Sequence, residues 1–548
     1  MPTDTAHSPP IRGAPTPAHA RPGSVGKTVA LACLGVFASY LPIGGVSVSL
    51  PSIQQGLGAS TADLQWITDA FILPMAAFIL TFGLIGDLYG RKKVFLAGLG
   101  FFAAGSAVSL TATSVTQVWI GQALSGAGAA ALLTSTLALI SHVCPDFRAR
   151  AKAVSAWAAA LGLGMSLGPL ISGAILEGAA WRWIFLPSLI ACAIGLVAGA
   201  VLLVDSKAPH GRAIDIPGQL TAVIAVAALV YGVIEGGAAG WGAGKVVAAF
   251  AVAAVALAAF ILVELRSPSP MLSMQLFRSR AFSGAGIVIA LALFAQVGLV
   301  FALSLFFGTV QHLSALDIGW RFLALNGLAV VLAPVVGRLM GRVAPGLLLA
   351  LGLVVTGIGT FWLNALEADS GAGLVILVLA VIGAGFSFVM SPITAIAVSS
   401  VPHHLAGMAG AGSNTLRQVG GALGPAVFGV ILTQHTVSAL PEQLSAAGLS
   451  AADRDSVLNA VAADGLAAAG HLDLGAPATG QALGAFGESF SGALHLCATI
   501  GGIGMLVAAV VTVVCIGVRK AAAPETHPVQ SAPAQRGEGV VKEAVESA

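Results

Sequence analysis

The chain has 548 residues, of which 57% are hydrophobic and 9% are charged, and its formal net charge at pH 7 is +2. Soluble domains carry about 25% charged residues, so this composition excludes an ordinary water-soluble protein and indicates many membrane spans. Since the net charge is close to zero, only the positions of the charges can be informative.

The two ends of the chain differ from the rest. Residues 1–27 are rich in Pro and Ala and lack an apolar core, which predicts a disordered cytoplasmic tail rather than a signal peptide. Residues 521–548 predict a second such tail. The five Cys residues form no CxxC or Cys/His spacing, so no disulfide framework, metal site or cofactor is predicted. His142 and the pair His403 and His404 lie at span edges, where a metal role is not favoured.

Apolar runs of about 20 residues, the length that crosses a bilayer, occur fourteen times along the chain. They predict an all-α polytopic membrane protein. In chain order the predicted spans are about 28–51, 66–88, 94–112, 117–141, 154–176, 184–204, 216–236, 245–265, 281–307, 317–340, 346–365, 371–392, 408–432 and 491–517.

The Lys and Arg residues orient these spans. If the N-terminus is cytoplasmic, 20 of the 25 Lys and Arg residues fall in cytoplasmic segments, among them "RKK" at 91–93 and "RARAK" at 148–152. This bias is the positive-inside pattern, and it predicts that both termini are cytoplasmic. The long outer segment at about 433–490 is Ala-rich, without a clear period. It predicts an extracytoplasmic loop, with room for short helices but no separate domain.

Two glycine motifs recur at nearly one offset. "GLIGD" at Gly83 and "GRLMGR" at Gly337 are 337 − 83 = 254 residues apart, while "GMSLGPLISG" at Gly164 and "GGALGPAVFG" at Gly420 are 420 − 164 = 256 apart. This predicts duplicated halves with a substrate site between them. We expect two six-helix bundles and two additional helices between them, divided as 28–205, 206–275 and 276–520.

The stretch "GLIGDLYGRKK" (83–93) is similar to the cytoplasmic loop signature between spans two and three of the major facilitator superfamily. The matching residues are Gly83, Asp87, Gly90, Arg91 and Lys92. The resemblance implies that this loop acts as a latch in the conformational cycle. Leu88 replaces the usual Arg, which removes one ionic contact of that latch. A plain topology anchor is the alternative role of the basic residues.

The stretch "GMSLGPLISG" (164–173) resembles the antiporter signature of span five, with Gly164, Gly168, Pro169 and Gly173. "QWITDAF" (65–71) and "NTLRQVGGALG" (414–424) strengthen the likeness. The chain thus resembles the fourteen-span drug:proton antiporters, the multidrug-resistance type of efflux transporter. The resemblance implies the major-facilitator fold, export, and a multi-pass protein of the bacterial inner membrane. Close packing of small residues alone could also produce the glycine pattern.

Two ionisable residues lie within predicted spans, where a charge costs about 2.5–3.5 kcal/mol at the helix centre and indicates function. Arg417 lies near the middle of its span and is predicted to act in transport, gating or proton coupling, with a buried hydrogen-bonding hub as the alternative. Asp69 lies about three residues into its span from the outer side and is a candidate proton carrier. The alternative for Asp69 is an ordinary acid at a helix start, favoured by the helix dipole.

The chain departs from the family pattern at two places. Pro42 stands where the first span of relatives carries an acid, and Gln122 and Ser125 stand where the fourth span carries Arg and Gln. Because acid and base are missing together, we expect altered coupling rather than random decay. The predicted substrate-cavity residues are Gln122, Ser125, Asn414, Gln418 and Ser47.

The leading hypothesis is a secondary transporter that exports amphipathic small molecules, either drugs or a self-made metabolite, by alternating access and proton antiport with atypical coupling residues. The alternative is a transport-defective sensor or binding scaffold. "RPGSVGKT" (21–28) lacks the first Gly of a phosphate loop, so neither an ATP-driven pump nor another enzyme is predicted. The expected partners are a small-molecule substrate, protons and the lipid bilayer, without nucleic acid; a periplasmic adaptor is left open.

Overall fold

The computed structural model describes residues 22–144, 146–206, 215–402, 405–470, 472 and 474–518. Within these ranges the chain is helical and has no strand. Fourteen helices are long and apolar enough to cross a membrane, which confirms the predicted number of spans and the all-α fold class. The predicted tails at 1–21 and 521–548, and the pair His403 and His404, lie outside the described residues.

Six helices form an N bundle: α1 (Pro22–Leu57), α2 (Thr61–Tyr89), α3 (Arg91–Leu110), α4 (Val115–Val143), α5 (Phe147–Leu176) and α6 (Leu186–Leu202). Helix α1 packs on α4, α5 and α6, while α4 also packs on α2 and α3. Because α1 begins at Pro22, residues 22–27 are helical rather than part of the predicted tail.

Six later helices form a C bundle: α9 (Arg280–Leu305), α10 (Ala315–Met340), α11 (Pro345–Trp362), α12 (Ala372–Ser399), α13 (Ala406–Ala446) and α15 (Ala476–Val511). Helix α9 packs on α13 and α15, and α12 packs on α10 and α11. These pairs repeat the N-bundle pairs of α1 with α5 and α6, and of α4 with α2 and α3. The two halves therefore have the same packing plan, as the glycine motifs predict.

Two additional helices, α7 (Ile216–Ala239) and α8 (Gly244–Arg266), form a hairpin between the bundles in sequence. Helix α7 lies against both α2 and α13. Its Gln219 donates to the Ala77 carbonyl and accepts from the Thr81 hydroxyl of α2. At the other end of α7, Gln434 of α13 donates to the Gly237 carbonyl (3.4 Å). The hairpin thus covers the line along which the two bundles meet.

Helix α2 begins five residues before the predicted span because polar capping residues precede its apolar run. The Asp63 amide donates to the Ser60 hydroxyl (3.2 Å), and the Ser60 amide donates to the Asp63 carboxylate (2.9 Å). This reciprocal pair is a capping box, which satisfies backbone donors that the first helical turn leaves free. The helix start is therefore set by residues that a search for apolar runs passes over.

The outer segment predicted as a loop at 433–490 is mostly helical. Helix α13 continues to Ala446, a separate helix α14 spans Ala451–Asp464, a 3-10 turn spans Gly465–Gly470, and α15 begins at Ala476. The turn contacts α1 and α2 of the N bundle and α13 of the C bundle, and its Leu466 and Ala468 are buried. Burial of apolar side chains against both bundles gives this segment its structure.

The bundles meet differently at their two ends. We call the end where α1 begins the terminal end and the opposite end the distal end. At the distal end one apolar cluster joins both bundles; its members include Val46, Leu50, Ile67, Phe306, Leu325 and Phe428. At the terminal end there are two clusters. One, around Leu31, Phe95 and Ile140, lies mainly in the N bundle and extends to Ala422 and Ala426 of α13, and the other, around Phe282, Leu349 and Ile396, lies in the C bundle. Apolar packing therefore closes the distal end of the interface.

Candidate functional site

Two helix seams join the bundles, and the antiporter signature lies in the first, between α5 and α10. A Cβ atom added to Gly173 would lie 2.7 Å from the Ala315 carbonyl oxygen, and one added to Gly319 would lie 2.8 Å from the Pro169 carbonyl oxygen. Only glycine allows such a close approach of two backbones. The signature residues Gly173 and Pro169 thus form a contact between the bundles.

The other two signature glycines hold α5 against α1 inside the N bundle. A Cβ atom at Gly164 would lie 2.8 Å from the Phe37 carbonyl oxygen and 3.2 Å from the Tyr40 Cβ atom, and one at Gly168 would meet the Leu41 carbonyl. Gly164 therefore provides the space in which Tyr40 sits. The signature has two structural roles, since one part shapes α1 and the other meets α10.

The second seam, between α2 and α13, is polar at two points. Gln65 donates to the carbonyls of Pro425 and Ala426 (3.1 Å each), and its amide fills the notch left by Gly429. Farther along α2, Gln418 donates to the Met75 sulfur (2.9 Å). Gln418, one of the predicted cavity residues, therefore lies at the interface between the bundles. Gln65 was not predicted as a site residue, although it opens the "QWITDAF" motif.

Asp69 lies on the same face of α2, one turn after Gln65, and its side chain is completely buried. Neither carboxylate oxygen has a hydrogen-bond partner among the described residues. Because α2 begins at Thr61, Asp69 lies about 12 Å along the helix at 1.5 Å per residue, deeper than its predicted place three residues into the span. The acid at the helix start is Asp63, so the helix-dipole explanation fits Asp63 rather than Asp69.

Arg417 of α13 lies at the interface on the side of α1. Its Nη2 donates to the Thr394 hydroxyl of α12 (3.3 Å), while its buried Nε has no partner among the described residues. The phenol of Tyr40, from the N bundle, lies close enough to interact with the guanidinium electrostatically. Among the described residues no hydrogen bond or ring contact joins the two side chains, so the Thr394 hydroxyl is the hydrogen-bond partner of the guanidinium.

The remaining predicted cavity residues are dispersed. Gln122 donates to the Ile67 carbonyl (3.4 Å) and so joins α4 to α2 within the N bundle. Ser125 packs where α4 crosses α3 beside Gly105, within the N bundle. Asn414 is partly buried, one turn before Arg417.

Ser47, the last predicted cavity residue, belongs to the closed distal end. Its hydroxyl donates to the Ile43 carbonyl of its own helix (3.0 Å), and its carbonyl accepts from the Ser304 hydroxyl of α9. Nearby, the Cβ position of Gly308 meets the Pro51 ring. These contacts join α1 to the C bundle directly.

The loop signature forms a compact polar turn at the terminal end. Arg91 pairs with Asp87 (3.0 Å) and donates to the Ala138 carbonyl of α4 (3.3 Å). Gly90, between α2 and α3, has φ +122°, a conformation that favours glycine. A Cβ atom added to Gly83 would lie 3.8 Å from the Thr134 side chain, which is an ordinary contact distance. The backbone conformation therefore favours glycine at Gly90, whereas Gly83 has room for a side chain.

Asp205, which was not predicted as part of this loop, connects it to the end of α6. Its carboxylate accepts from the Lys92 amide (3.1 Å), while the Lys92 ammonium donates to the carbonyls of Ala200 and Leu203 (2.7 Å each). An acid at the start of α3 and a cation at the end of α6 both complement the helix dipoles. The only feature of the sequence that could have indicated a role for Asp205 is its position just beyond an apolar run.

Other ionisable residues lie at the ends of the helices. Glu177 is exposed after α5, Glu235 pairs with Lys245, and Asp317 lies in the first turn of α10, where its amide donates to the capping hydroxyl of Ser314. In the part of the chain that the structure describes, no three His, Cys, Asp or Glu side chains cluster as metal ligands would.

Comparison with known proteins places this architecture in a family. A family model described as Major Facilitator Superfamily matches residues 32–425. The chain is 32% identical, over 98% of its length and 100% of the relative's, to the tetracenomycin C resistance and export protein of Streptomyces glaucescens. It is also 32% identical, over 76% of its length and 77% of the relative's, to the multidrug resistance protein Stp of Mycobacterium tuberculosis.

A solved structure shows the same fold. The bacterial homologue of the human lysosomal transporter Spinster matches with a TM-score of 0.64 at 13% identity, over 92% of this chain and 100% of that one. The family model and the 32% identical relatives confirm the predicted family resemblance. The chain belongs to the major facilitator superfamily and is a multi-pass membrane transporter, not an enzyme.

Proposed function

We propose that this transporter exports amphipathic small molecules, either drugs or a self-made metabolite, across the bacterial cell membrane. The observation that carries the proposal is the match along 98% of the chain to a protein named for tetracenomycin C resistance and export. An interface of mostly apolar residues with a few polar groups, such as Gln418 and Arg417, suits amphipathic ligands.

We place the terminal end in the cytoplasm. Most of the described basic residues outside the apolar helix cores lie at that end, among them Arg91, Lys92, Arg150, Arg338 and Arg342. Positive residues concentrate on the cytoplasmic side of membrane proteins. In this orientation the described state is closed to the outside, and export requires the distal end to open while the terminal end closes.

We further propose that proton antiport drives export and that Asp69 carries the proton. A fully buried carboxyl without a partner is costly in its ionised form. Asp69 lies in the α2–α13 seam, whose packing must change when the bundles rock. Movement of the seam can expose the carboxyl to water and then bury it again, which couples proton release and uptake to the conformational cycle.

Export is tested in inverted membrane vesicles, in which outward transport appears as accumulation inside. With tetracenomycin C as the probe and an interior made acidic by respiration, we expect accumulation above that of vesicles lacking the protein. A protonophore should abolish it. No accumulation at all would contradict export, and accumulation that persists with the protonophore would contradict proton coupling.

The role of Asp69 is tested in the same vesicles by Asp69→Asn. Since Asn keeps the size but cannot release a proton, we expect accumulation to fall to the level of protonophore-treated vesicles, while downhill movement of the probe continues. Asp63→Asn is the control, because Asp63 lies on the same helix but in its exposed capping box. Unchanged proton-driven accumulation in Asp69→Asn would remove Asp69 from the mechanism.

A further inference from the structure

Arg417 is a cation without an acidic partner in the described part of the chain. The ion pairs found there, Asp87 with Arg91 and Glu235 with Lys245, lie elsewhere. Its hydrogen bond to Thr394 (3.3 Å) is to a neutral hydroxyl, and Nε is left without a partner. A guanidinium cannot release its proton in proteins, so its charge has to be balanced by another group.

Asp69, the acid buried at the same interface, does not provide this balance. Residues Gln65 and Met75, before and after it on α2, meet α13 at Pro425, Ala426 and Gln418. Residues 417 and 418 point about 100° apart around a helix, so the face of α13 that meets α2 is not the face of Arg417. Asp69 and Arg417 therefore lie on different sides of α13.

The groups around Arg417 come from both bundles. Thr394 lies on α12, whereas Tyr40 lies on α1 and occupies the space provided by Gly164. A guanidinium, a hydroxyl and a phenol together offer several hydrogen-bond donors and no carboxylate. Guanidinium groups bind planar oxyanions through two parallel hydrogen bonds, and the Nε edge of Arg417 is the part without a partner.

We propose that Arg417, with Thr394 and Tyr40, binds the anionic group of an amphipathic substrate such as a carboxylate, a sulfonate or an acidic phenolate. This assignment rests on the proposed export function and narrows its substrate class. The anion balances the charge of Arg417, and the apolar part of the substrate lies against the apolar walls of the bundles. Because Arg417 and Tyr40 belong to opposite bundles, an anion bound between them also links the relative positions of the bundles.

Two probes of similar size separate the charge from the apolar body. The probes are 8-anilinonaphthalene-1-sulfonate, which is anionic, and N-phenyl-1-naphthylamine, which lacks the sulfonate. Binding of each is measured by fluorescence on the full chain in lipid nanodiscs, with protein-free nanodiscs subtracted. In Arg417→Gln we expect the affinity for the sulfonate to fall about tenfold or more, as loss of a charge-assisted hydrogen bond implies, while affinity for the neutral probe changes little.

Two further variants make the test specific. Arg417→Lys keeps the charge and should retain part of the preference for the sulfonate. Arg338→Gln removes an exposed charge at the terminal end of α10 and should leave both affinities unchanged. The assignment is overturned if Arg417→Gln binds the sulfonate like the unmodified chain, or if it loses both probes to the same degree.

Binding and transport are measured separately, so that failure of the anion-site proposal can be distinguished from failure of the export proposal. Nanodisc binding needs no gradient, whereas export is measured in inverted vesicles. A preference for the anion that depends on Arg417, without accumulation in vesicles, would contradict the export function and support the anion site. Accumulation with no difference between the probes would support export and overturn the anion site.

Discussion

Gly90 is the residue on which the turn between α2 and α3 depends. Its φ of +122° is one that residues with a side chain rarely adopt, and an added Cβ atom would lie 2.6 Å from an oxygen of Asp205. For Gly90→Ala we expect a loss of about 1–3 kcal/mol, the range for backbone strain, seen as a lower Tm of the purified protein in detergent. Gly86→Ala is the control, because the atom nearest to its Cβ position is 3.8 Å away. Equal Tm values for both variants would contradict this account.

Single residues show where sequence reasoning succeeds and where it stops. The motif around Gly90 was recognisable because its members are neighbours in the chain. Asp205 contacts Lys92 from 113 residues away, and Gln65 contacts Pro425 from 360 residues away. Such partners become visible only when the helices are placed. The depth of Asp69 was underestimated for a different reason: the polar cap of α2 hides the true start of the helix.

Helix pairs show how far the duplication extends. The positions of Gln65 and Gly319 differ by 319 − 65 = 254, and those of Gly173 and Gly429 by 429 − 173 = 256, the offsets of the repeated motifs. By these offsets Gly319 is the equivalent of Gln65, and Gly173 is the equivalent of Gly429. Gln65 meets Gly429 in the α2–α13 seam, whereas Gly319 meets Pro169 in the α5–α10 seam, so the equivalent residues make different contacts.

The equivalent of Asp69 at the first offset is Leu323, since 323 − 69 = 254. One seam thus holds a buried acid that the other lacks. The glycine motifs predicted the duplication, but this asymmetry required the helix register.

Gly173 tests the tightness of the α5–α10 seam. In Gly173→Ala the new methyl group would meet the backbone of Ala315 and Leu316 at 2.7 Å, and overpacking of this kind costs about 1–3 kcal/mol. We expect the closed distal end to be destabilised by that amount and the initial export rate to fall. Gly178→Ala is the matched control, because its Cβ position has no neighbour within 4 Å. Equal export by the two variants would show that the seam is not tight during transport.

The whole molecule combines predictable and unpredictable features. Fourteen spans and two similar halves follow from apolar runs and motif offsets, because membrane helices are set by length and hydropathy. The closed distal end follows from contacts between segments far apart in the chain, such as that of Ser47 with Ser304 of α9 and that of Pro51 with Gly308 in the π-helical turn after α9. The segment at 433–490, which contains Leu466, was predicted only as a loop with room for short helices, because its Ala-rich sequence has little apolar periodicity. It gains its structure by packing on both bundles.

A disulfide across the distal end tests alternating access directly. The Ser304 hydroxyl of α9 contacts the Ser47 carbonyl of α1, so Ser47→Cys and Ser304→Cys place two thiols on neighbouring helices of opposite bundles. The five native Cys residues, which form no disulfide, are first replaced by Ser. Oxidation should then hold the distal end closed and stop accumulation in inverted vesicles, and a reductant should restore it.

The single variants Ser47→Cys and Ser304→Cys are the controls, because neither can form the cross-link alone. Oxidation should leave their accumulation unchanged, which separates the cross-link from damage to the protein. Formation of the disulfide is checked by the shift in gel mobility of a chain cleaved between α7 and α8. Undiminished export by the cross-linked protein would mean that α1 and α9 stay together throughout the cycle. In that case the exit path would have to open elsewhere. The proposal that the bundles rock apart at the distal end during export would then be wrong.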